Sequence, residues 1–212
     1  MQTMINIFYM RLTQVYEHIK LDGLFSLFHE YFYFDRRAIV VEKDLVNYSL
    51  DVTKFSKNDI HLMDAEKIIK DINQYKFPVK NRYLKILHYL KKGYSGYVMV
   101  NGNTHIGDIW YFPKEVNQTA DHPDCQWLGI HRFKNEVYTF DMYLVPDVRG
   151  YNLAIALQSN ALLSLHEKGF TKAYGYFWAD NVPALWAHRM SKWKEIRKIK
   201  MGRFLSYRRQ NN

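Results

Sequence analysis

Apolar residues recur at helical spacing through the first segment: Ile5, Phe8, Leu12, Val15, Tyr16 and Ile19, then, after Asp22-Gly23, Leu24, Phe25, Leu27, Phe28 and Tyr31. This predicts two amphipathic helices joined near Gly23. Residues 38–45, Ala-Ile-Val-Val-Glu-Lys-Asp-Leu, read as a strand with a β-branched centre. Asp64 is placed to cap a short helix over 65–72. Pro78 opens a second helix, closed by Gly93, on which Tyr83, Leu84, Leu87 and Leu90 form a stripe. Asn101-Gly102 between strand-like runs at 97–100 and 105–112 predicts a hairpin. A polar loop then covers 113–135. Residues 136–145 form the clearest strand, ended by Pro146-Asp147. A helix over 152–168 closes at Gly169, and a strand follows over 171–179. Asp180-Asn181 caps a helix to Met190 with Pro183 in its first turn. A terminal hairpin of 193–200 and 204–209 turns at Gly202. The order β-α-α-β-β-β-α-β-α-β-β is a mixed α/β (α+β) layout with one layer of sheet.

The 212 residues, 48% of them hydrophobic, suffice for one core and exclude a disordered chain. No apolar run approaches the ~20 residues of a bilayer span. The single cysteine, Cys125, excludes an internal disulfide framework. With His122 and His131 it matches no standard ligand spacing, so no metal is expected. The N-terminus lacks a basic segment followed by a clean apolar core, which points to a cytoplasmic protein without a signal peptide. The net charge of +9 is concentrated at one end. Residues 189–212 hold nine cations against Glu195 alone, and the rest of the chain holds 21 cations against 20 anions. Such a segment suits an acidic partner or an anionic membrane. Nucleic acid is not expected, because no recognition-helix, zinc-finger or RRM pattern accompanies the basic residues.

Candidate chemistry lies in Tyr143-Leu-Val-Pro-Asp-Val-Arg-Gly-Tyr-Asn-Leu-Ala154, where a strand runs through a short basic, glycine-containing loop into a helix. Such a turn aims backbone N–H groups and the positive end of a helix dipole at one point, an arrangement suited to a pyrophosphate.

This stretch resembles the acyl-CoA loop of the GNAT superfamily of N-acetyltransferases, with pattern Q/R-x-x-G-x-G/A. Arg149 matches the first position and Ala154 the last, and Asn152 stands at the middle glycine. The likeness continues beyond the loop: Asn181 opens the next helix, and His188 stands where the family carries a tyrosine. It covers the chain from about Ala38, giving N-terminal helices over 1–35 and a GNAT-like domain over 36–212. The resemblance implies a splayed sheet holding an acyl thioester between strands 136–145 and 171–179. Backbone groups of Tyr143, Leu144 and Val145 would bind pantetheine. Amides of Arg149, Gly150, Tyr151, Asn152, Leu153 and Ala154 would hold the pyrophosphate, with Asn181 nearby. The co-substrate would be acetyl-CoA or a longer acyl-CoA, and a small-molecule amine would attack the thioester directly. Asp141 is the first candidate base and Glu136 the second; His188 is the candidate acid for the leaving thiolate. On a regular strand Asp141 shares a face with Tyr143 and opposes Phe140 and Met142.

Two further readings stay open. The donor could be the phosphopantetheine of an acidic acyl carrier protein docked on the basic tail, as in GNAT-like N-acyl amino acid synthases. The chain could instead be a non-catalytic GNAT-like binding module. A peripheral contact with the inner membrane face would use the N-terminal helices and the tail together.

Overall fold

The computed structural model describes residues 33–49, 60–113, 121–150, 152–204 and 207–211, with scattered positions between 8 and 20. Among them, eight strands form one sheet: β1 (Tyr33–Asp44), β2 (Ile60–Asp64), β3 (Ser95–Asn101), β4 (Thr104–Pro113), β5 (Glu136–Leu144), β6 (Lys172–Trp178), β7 (Lys194–Phe204) and β8 (Tyr207–Asn211). The α-helices are α1 (Ala65–Lys70), α2 (Lys80–Lys91), α3 (Pro123–Leu128), α4 (Leu153–Glu167) and α5 (Val182–Met190). The strands lie in the order β2-β3-β4-β5-β6-β1-β7-β8. All neighbours are antiparallel except β5 and β6.

Alternation along the strands separates two apolar layers. Ile39 and Val41 of β1, Ile109 and Tyr111 of β4 and Phe177 of β6 face Leu157, Leu162 and Leu165 of α4. Full burial of each such leucine is worth about 1.5–3 kcal/mol. On the other face, Ala38, Val40, Tyr138 and Tyr174 pack with Cys125 and Leu128 of α3. Beside them Val98, Val100 and Trp110 pack with Ile68 of α1 and Ile86 of α2.

The 38–45 strand begins earlier, at Tyr33, and lies in the C-terminal half of the sheet between β6 and β7. Its four residues Ala38 to Val41 are buried on both faces, which only an interior strand allows. Strand β2 was not expected; at five residues with one buried position it carries little periodic signal. Helix α3 falls within the stretch read as loop. Nδ1 of His122 accepts the Asp124 amide, Pro123 opens the helix, and Gly129 ends it at φ 62°. The Asn101-Gly102 hairpin is present, with Asn101 opposite Thr104. The terminal hairpin does not turn at Gly202, which pairs with both Asp35 and Arg209. Pairing with β1 extends β7 to Phe204, which stands opposite Tyr207 of β8.

Helix α2 turns inward a face other than the Tyr83-Leu84-Leu87-Leu90 stripe. Asn81, Arg82 and Ile86 are buried, while Tyr83, Leu84, Leu87 and Leu90 are half-buried. The register is set by Arg82, whose guanidinium meets carboxylates of two strands. Helical positions near the N-terminus touch the start of α2: Lys80 Nζ donates to the Tyr9 hydroxyl at 3.2 Å. The predicted second helix, 24–31, lies outside the described residues. No helix among the described residues is long and apolar enough to cross a membrane.

Candidate active site

The parallel pair β5–β6 is joined only over Glu136–Tyr138 and Lys172–Tyr174. The last tie is Thr139 Oγ1, which donates to the Tyr174 carbonyl at 2.9 Å. A Cβ at Gly175 would lie 3.1 Å from that hydroxyl oxygen, so glycine permits the close approach. Beyond it β5 stays with β4 and β6 with β1, and a gap opens through the sheet with backbone polar groups along both edges.

At the gap β5 bulges. Between the Asp108–Tyr143 and Trp110–Phe140 pairs, Asp141 and Met142 stand opposite Ile109 alone, and Asp141 takes φ 45°. The extra residue changes the alternation. Phe140, Asp141 and Tyr143 all project toward α2, and Met142 packs in the α4 layer. Asp141 shares a face with Tyr143 as expected, but with Phe140 as well.

Asp141 accepts from Arg82 Nη1 at 3.2 Å, Lys85 Nζ at 2.8 Å and the Tyr89 hydroxyl at 2.9 Å. Burial pushes its carboxyl up, but Arg82, Lys85 and the Tyr89 hydrogen bond outweigh that and hold it well below the usual carboxylate range. Behind it, Asp108 is fully buried in the middle of β4. It accepts from Arg82 Nε and Nη2, from His105 Nε2 at 2.9 Å and from Trp110 Nε1 at 2.9 Å. Desolvation pulls the Arg82 guanidinium down, and the two carboxylates more than offset it. Arg82 thus ties α2 to β4 and to the β5 bulge. Arg82, Lys85, Tyr89, His105 and Asp108 were not anticipated as site residues. The available signal was Asp108 itself, since a carboxylate amid His-Ile-Gly-Asp-Ile-Trp-Tyr-Phe must find buried cations.

The loop after β5 divides into occupied and available amides. Val145 N–H donates to Ile106 O at 2.9 Å, and Arg149 N–H to Pro146 O at 3.1 Å, so neither can serve a ligand as expected. Arg149 instead turns its Nε to the Leu144 carbonyl at 3.1 Å. Gly150 has φ 95°, and Asn152 takes φ 58°, ψ 10° at the N-cap of α4. The departure from glycine at 152 thus keeps a glycine-like backbone. The first intrahelical bond is Ala156 N–H to Asn152 O, which leaves the amides of Leu153, Ala154 and Ile155 as first-turn donors. Tyr151 lies outside the described residues.

Asn181 caps α5, its Oδ1 accepting the Ala184 amide at 3.1 Å. His188 stacks on Phe177 of β6 at 4.7 Å, beside the gap on the α4–α5 face. Its Nδ1 faces the Ala184 carbonyl at 2.7 Å, and a carbonyl only accepts. The ring therefore carries a proton on Nδ1, and burial lowers its pKa while the Ala184 carbonyl opposes that. Nε2 is then the ring nitrogen left for the expected proton transfer. Glu136 sits at the far end of β5, eight residues before Leu144 and roughly 26 Å away at strand rise. There its Oε2 accepts the Phe133 amide at 2.8 Å.

On the α2–α3 face a cavity of about 380 Å³ lies against the gap. Tyr89, Tyr94, Phe140 and Tyr176 wall it, and it carries Lys85, Lys92, Asp124 and Asp141. The structure thus defines a mixed sheet split between two parallel strands, with the first-turn amides of α4 after β5 and an aromatic cavity on the α2–α3 face.

Solved structures place this architecture. It is similar to the GCN5-related glucosamine N-acetyltransferase region of a fungal multi-domain GH3 β-N-acetylglucosaminidase (TM-score 0.57, 15% identity, covering 88% of this chain and 23% of that one). It is also similar to a tandem GNAT protein from the clavulanic acid biosynthesis pathway (TM-score 0.52, 11% identity, 85% of this chain and 58% of that one). A Drosophila protein matches at TM-score 0.51 and 8% identity, over 81% of this chain and 52% of that one. The fold is GNAT-like. The chain spans less than two thirds of the length of each of these three structures. No protein-family model and no curated protein matches the sequence.

Proposed function

We propose that the protein is an N-acyltransferase that moves an acyl group from a CoA thioester to a primary amine. The observation that carries this reading is the gap between β5 and β6, which opens at the end of β5 that leads through Gly150 and Asn152 to the start of α4. The amides of Leu153 and Ala154, with the Gly150 turn, hold the pyrophosphate. Pantetheine lies along the β5 edge. The amine enters from the α2–α3 face and reaches the gap beside Asp141. The ammonium first gives one proton to water, and the free amine then attacks. The C–N bond forms, the C–S bond breaks, and the second proton lost by nitrogen passes, through water, to the departing thiolate to give the CoA thiol. Catalysis rests on placing two reactants and on stabilising the oxyanion through backbone donors. Asp141 holds charge instead of taking the proton, because its ion pairs make it a weak base.

The test is calorimetric titration with acetyl-CoA, followed by thiol release in the presence of amines. Expected are saturable binding, its loss in Ala154→Pro, which removes a first-turn donor, and amine-dependent thiol release. No binding at millimolar ligand removes the CoA-donor form.

A second reading has its own observation. Helix α5 exposes Val182, Trp186 and Met190 (54%, 59% and 52%), one stripe at i, i+4, i+8, with Arg189 beside it. An acidic acyl carrier protein would dock there and present its phosphopantetheine to the gap. This reading requires transfer that weakens steeply with salt and is lost in Trp186→Glu. Salt-insensitive transfer from the carrier removes it.

A further inference from the structure

The cavity on the α2–α3 face holds two carboxylates, and protein donors already satisfy both. Asp141 has Arg82, Lys85 and Tyr89. Asp124 Oδ1 accepts from Trp127 Nε1 at 3.1 Å and Oδ2 from the Tyr138 hydroxyl at 3.0 Å. The polar groups left over all carry a proton to donate: two N–H groups and two tyrosine hydroxyls. His122 spends the Nδ1 lone pair on the Asp124 amide, so its proton is on Nε2. Among the described residues, Nε2 of His122, the Tyr94 and Tyr176 hydroxyls and the exposed Lys92 ammonium have no hydrogen-bond acceptor. They line a cavity of about 380 Å³ whose remaining wall is aromatic. That volume falls at the small end of ordinary ligand sites. A neutral or purely cationic amine offers these donors no charged acceptor, and hydrogen bonds to charged groups are the stronger ones.

Resting on the acyl-transfer reading, we infer that this cavity is the acceptor subsite and takes a small amine that also carries an anionic group, a carboxylate or a phosphate. The anion lies among Lys92, His122 and the Tyr94 and Tyr176 hydroxyls. The aromatic walls hold the body of the molecule, and the amine faces Asp141 at the gap. Lys92 and Tyr176 are then specificity-determining residues, one supplying charge and the other a hydrogen bond.

The test titrates the full chain, with CoA present, against two matched pairs: L-phenylalanine with L-phenylalaninamide, and O-phosphoethanolamine with ethanolamine. Within at least one pair the anionic member binds about tenfold more tightly, the size of one charge-assisted hydrogen bond. The pair with the larger ratio identifies carboxylate or phosphate as the group recognised. Lys92→Ala and Tyr176→Phe lower that ratio and leave the partner without the anion unchanged. Equal binding within both pairs, a ratio unaffected by Lys92→Ala, or no binding of any of the four at millimolar concentration overturns the inference. Thiol release from acetyl-CoA is scored separately. Turnover of amines without anionic preference overturns the subsite and sustains the acyltransferase. Anion-selective binding without any thiol release sustains the subsite and overturns the acyltransferase.

Discussion

Asn152 adopts φ 58° at the start of α4, where the resembled loop carries glycine. Asparagine tolerates this region, and β-branched residues do not, at a cost of about 1–2 kcal/mol. Asn152→Gly therefore keeps the fold and CoA binding. Asn152→Val loses roughly that stability and weakens CoA binding, as urea melts and calorimetry will show. Arg82 presents a sharper dependence. Arg82→Leu leaves Asp108 charged, buried and facing only His105 and Trp110, and removing one partner of a buried pair costs roughly 3–5 kcal/mol. The ionisable groups also set a pH profile. Burial lowers the His122 and His188 pKa values, so the unfolded chain binds their protons more readily. Their contribution is complete above the unfolded value of about 6.5 and drains as pH falls through it. Asp108 and Asp141 are depressed by their cations, so their contribution persists above about 3.9 and is lost below. Thermal melts should therefore fall in two stages on acidification, and His122→Phe with His188→Phe should shrink the first, leaving the smaller share of His88, whose pKa burial and nearby cations also lower. A wild-type decline confined to the lower range would contradict this assignment.

Elements with a long period or strong punctuation were legible: α4 between its loop and Gly169, β5 before Pro146, and the β3–β4 hairpin at Asn101-Gly102. What escaped has physical causes. Strand β2 is too short for alternation to show. The face of α2 follows Arg82, whose partners lie 26 and 59 residues away on β4 and β5. The bulge at Asp141 depends on the β4 register, which no local pattern records. The site was partly legible in the same sense. The loop was found from Arg149-Gly150, yet which amides are spent became visible only with Ile106 and Pro146 in place. Helix α3 differs, because Pro123 at its first turn and Gly129 after its last were sufficient signals. Gly129 has φ 62°, and Arg197 Nη1 reaches across to its carbonyl at 3.4 Å. Gly129→Ala should cost about 1 kcal/mol or more, through the backbone angle and because the added Cβ would displace the Arg197 guanidinium. A melting temperature equal to wild type would show that α3 ends under no such constraint.

The charge surplus and the sheet order together change how the whole molecule divides. The basic residues of β7 extend a sheet whose interior strand comes from the N-terminal part of the chain. Strand β1 pairs with β6 at seven positions and with β7 at ten. Its cation-rich neighbour β7 is held by Glu42 to Lys194 at 3.0 Å and Asp35 to Lys200 at 3.4 Å, so part of the excess is offset within the sheet. Ile39, Val40, Val41 and Leu45 are almost fully buried, together worth roughly 6–12 kcal/mol. That equals much of the roughly 5–15 kcal/mol by which a domain is stable. A chain beginning at residue 46 would leave the edges of β6 and β7 unpaired and the core open on both faces. It should not fold, giving a flat circular-dichroism melt and collapsed amide dispersion. A chain beginning at residue 32 keeps β1 entire and should melt cooperatively. A cooperative transition in the shorter chain would mean that β1 is dispensable and that β6 and β7 pair directly.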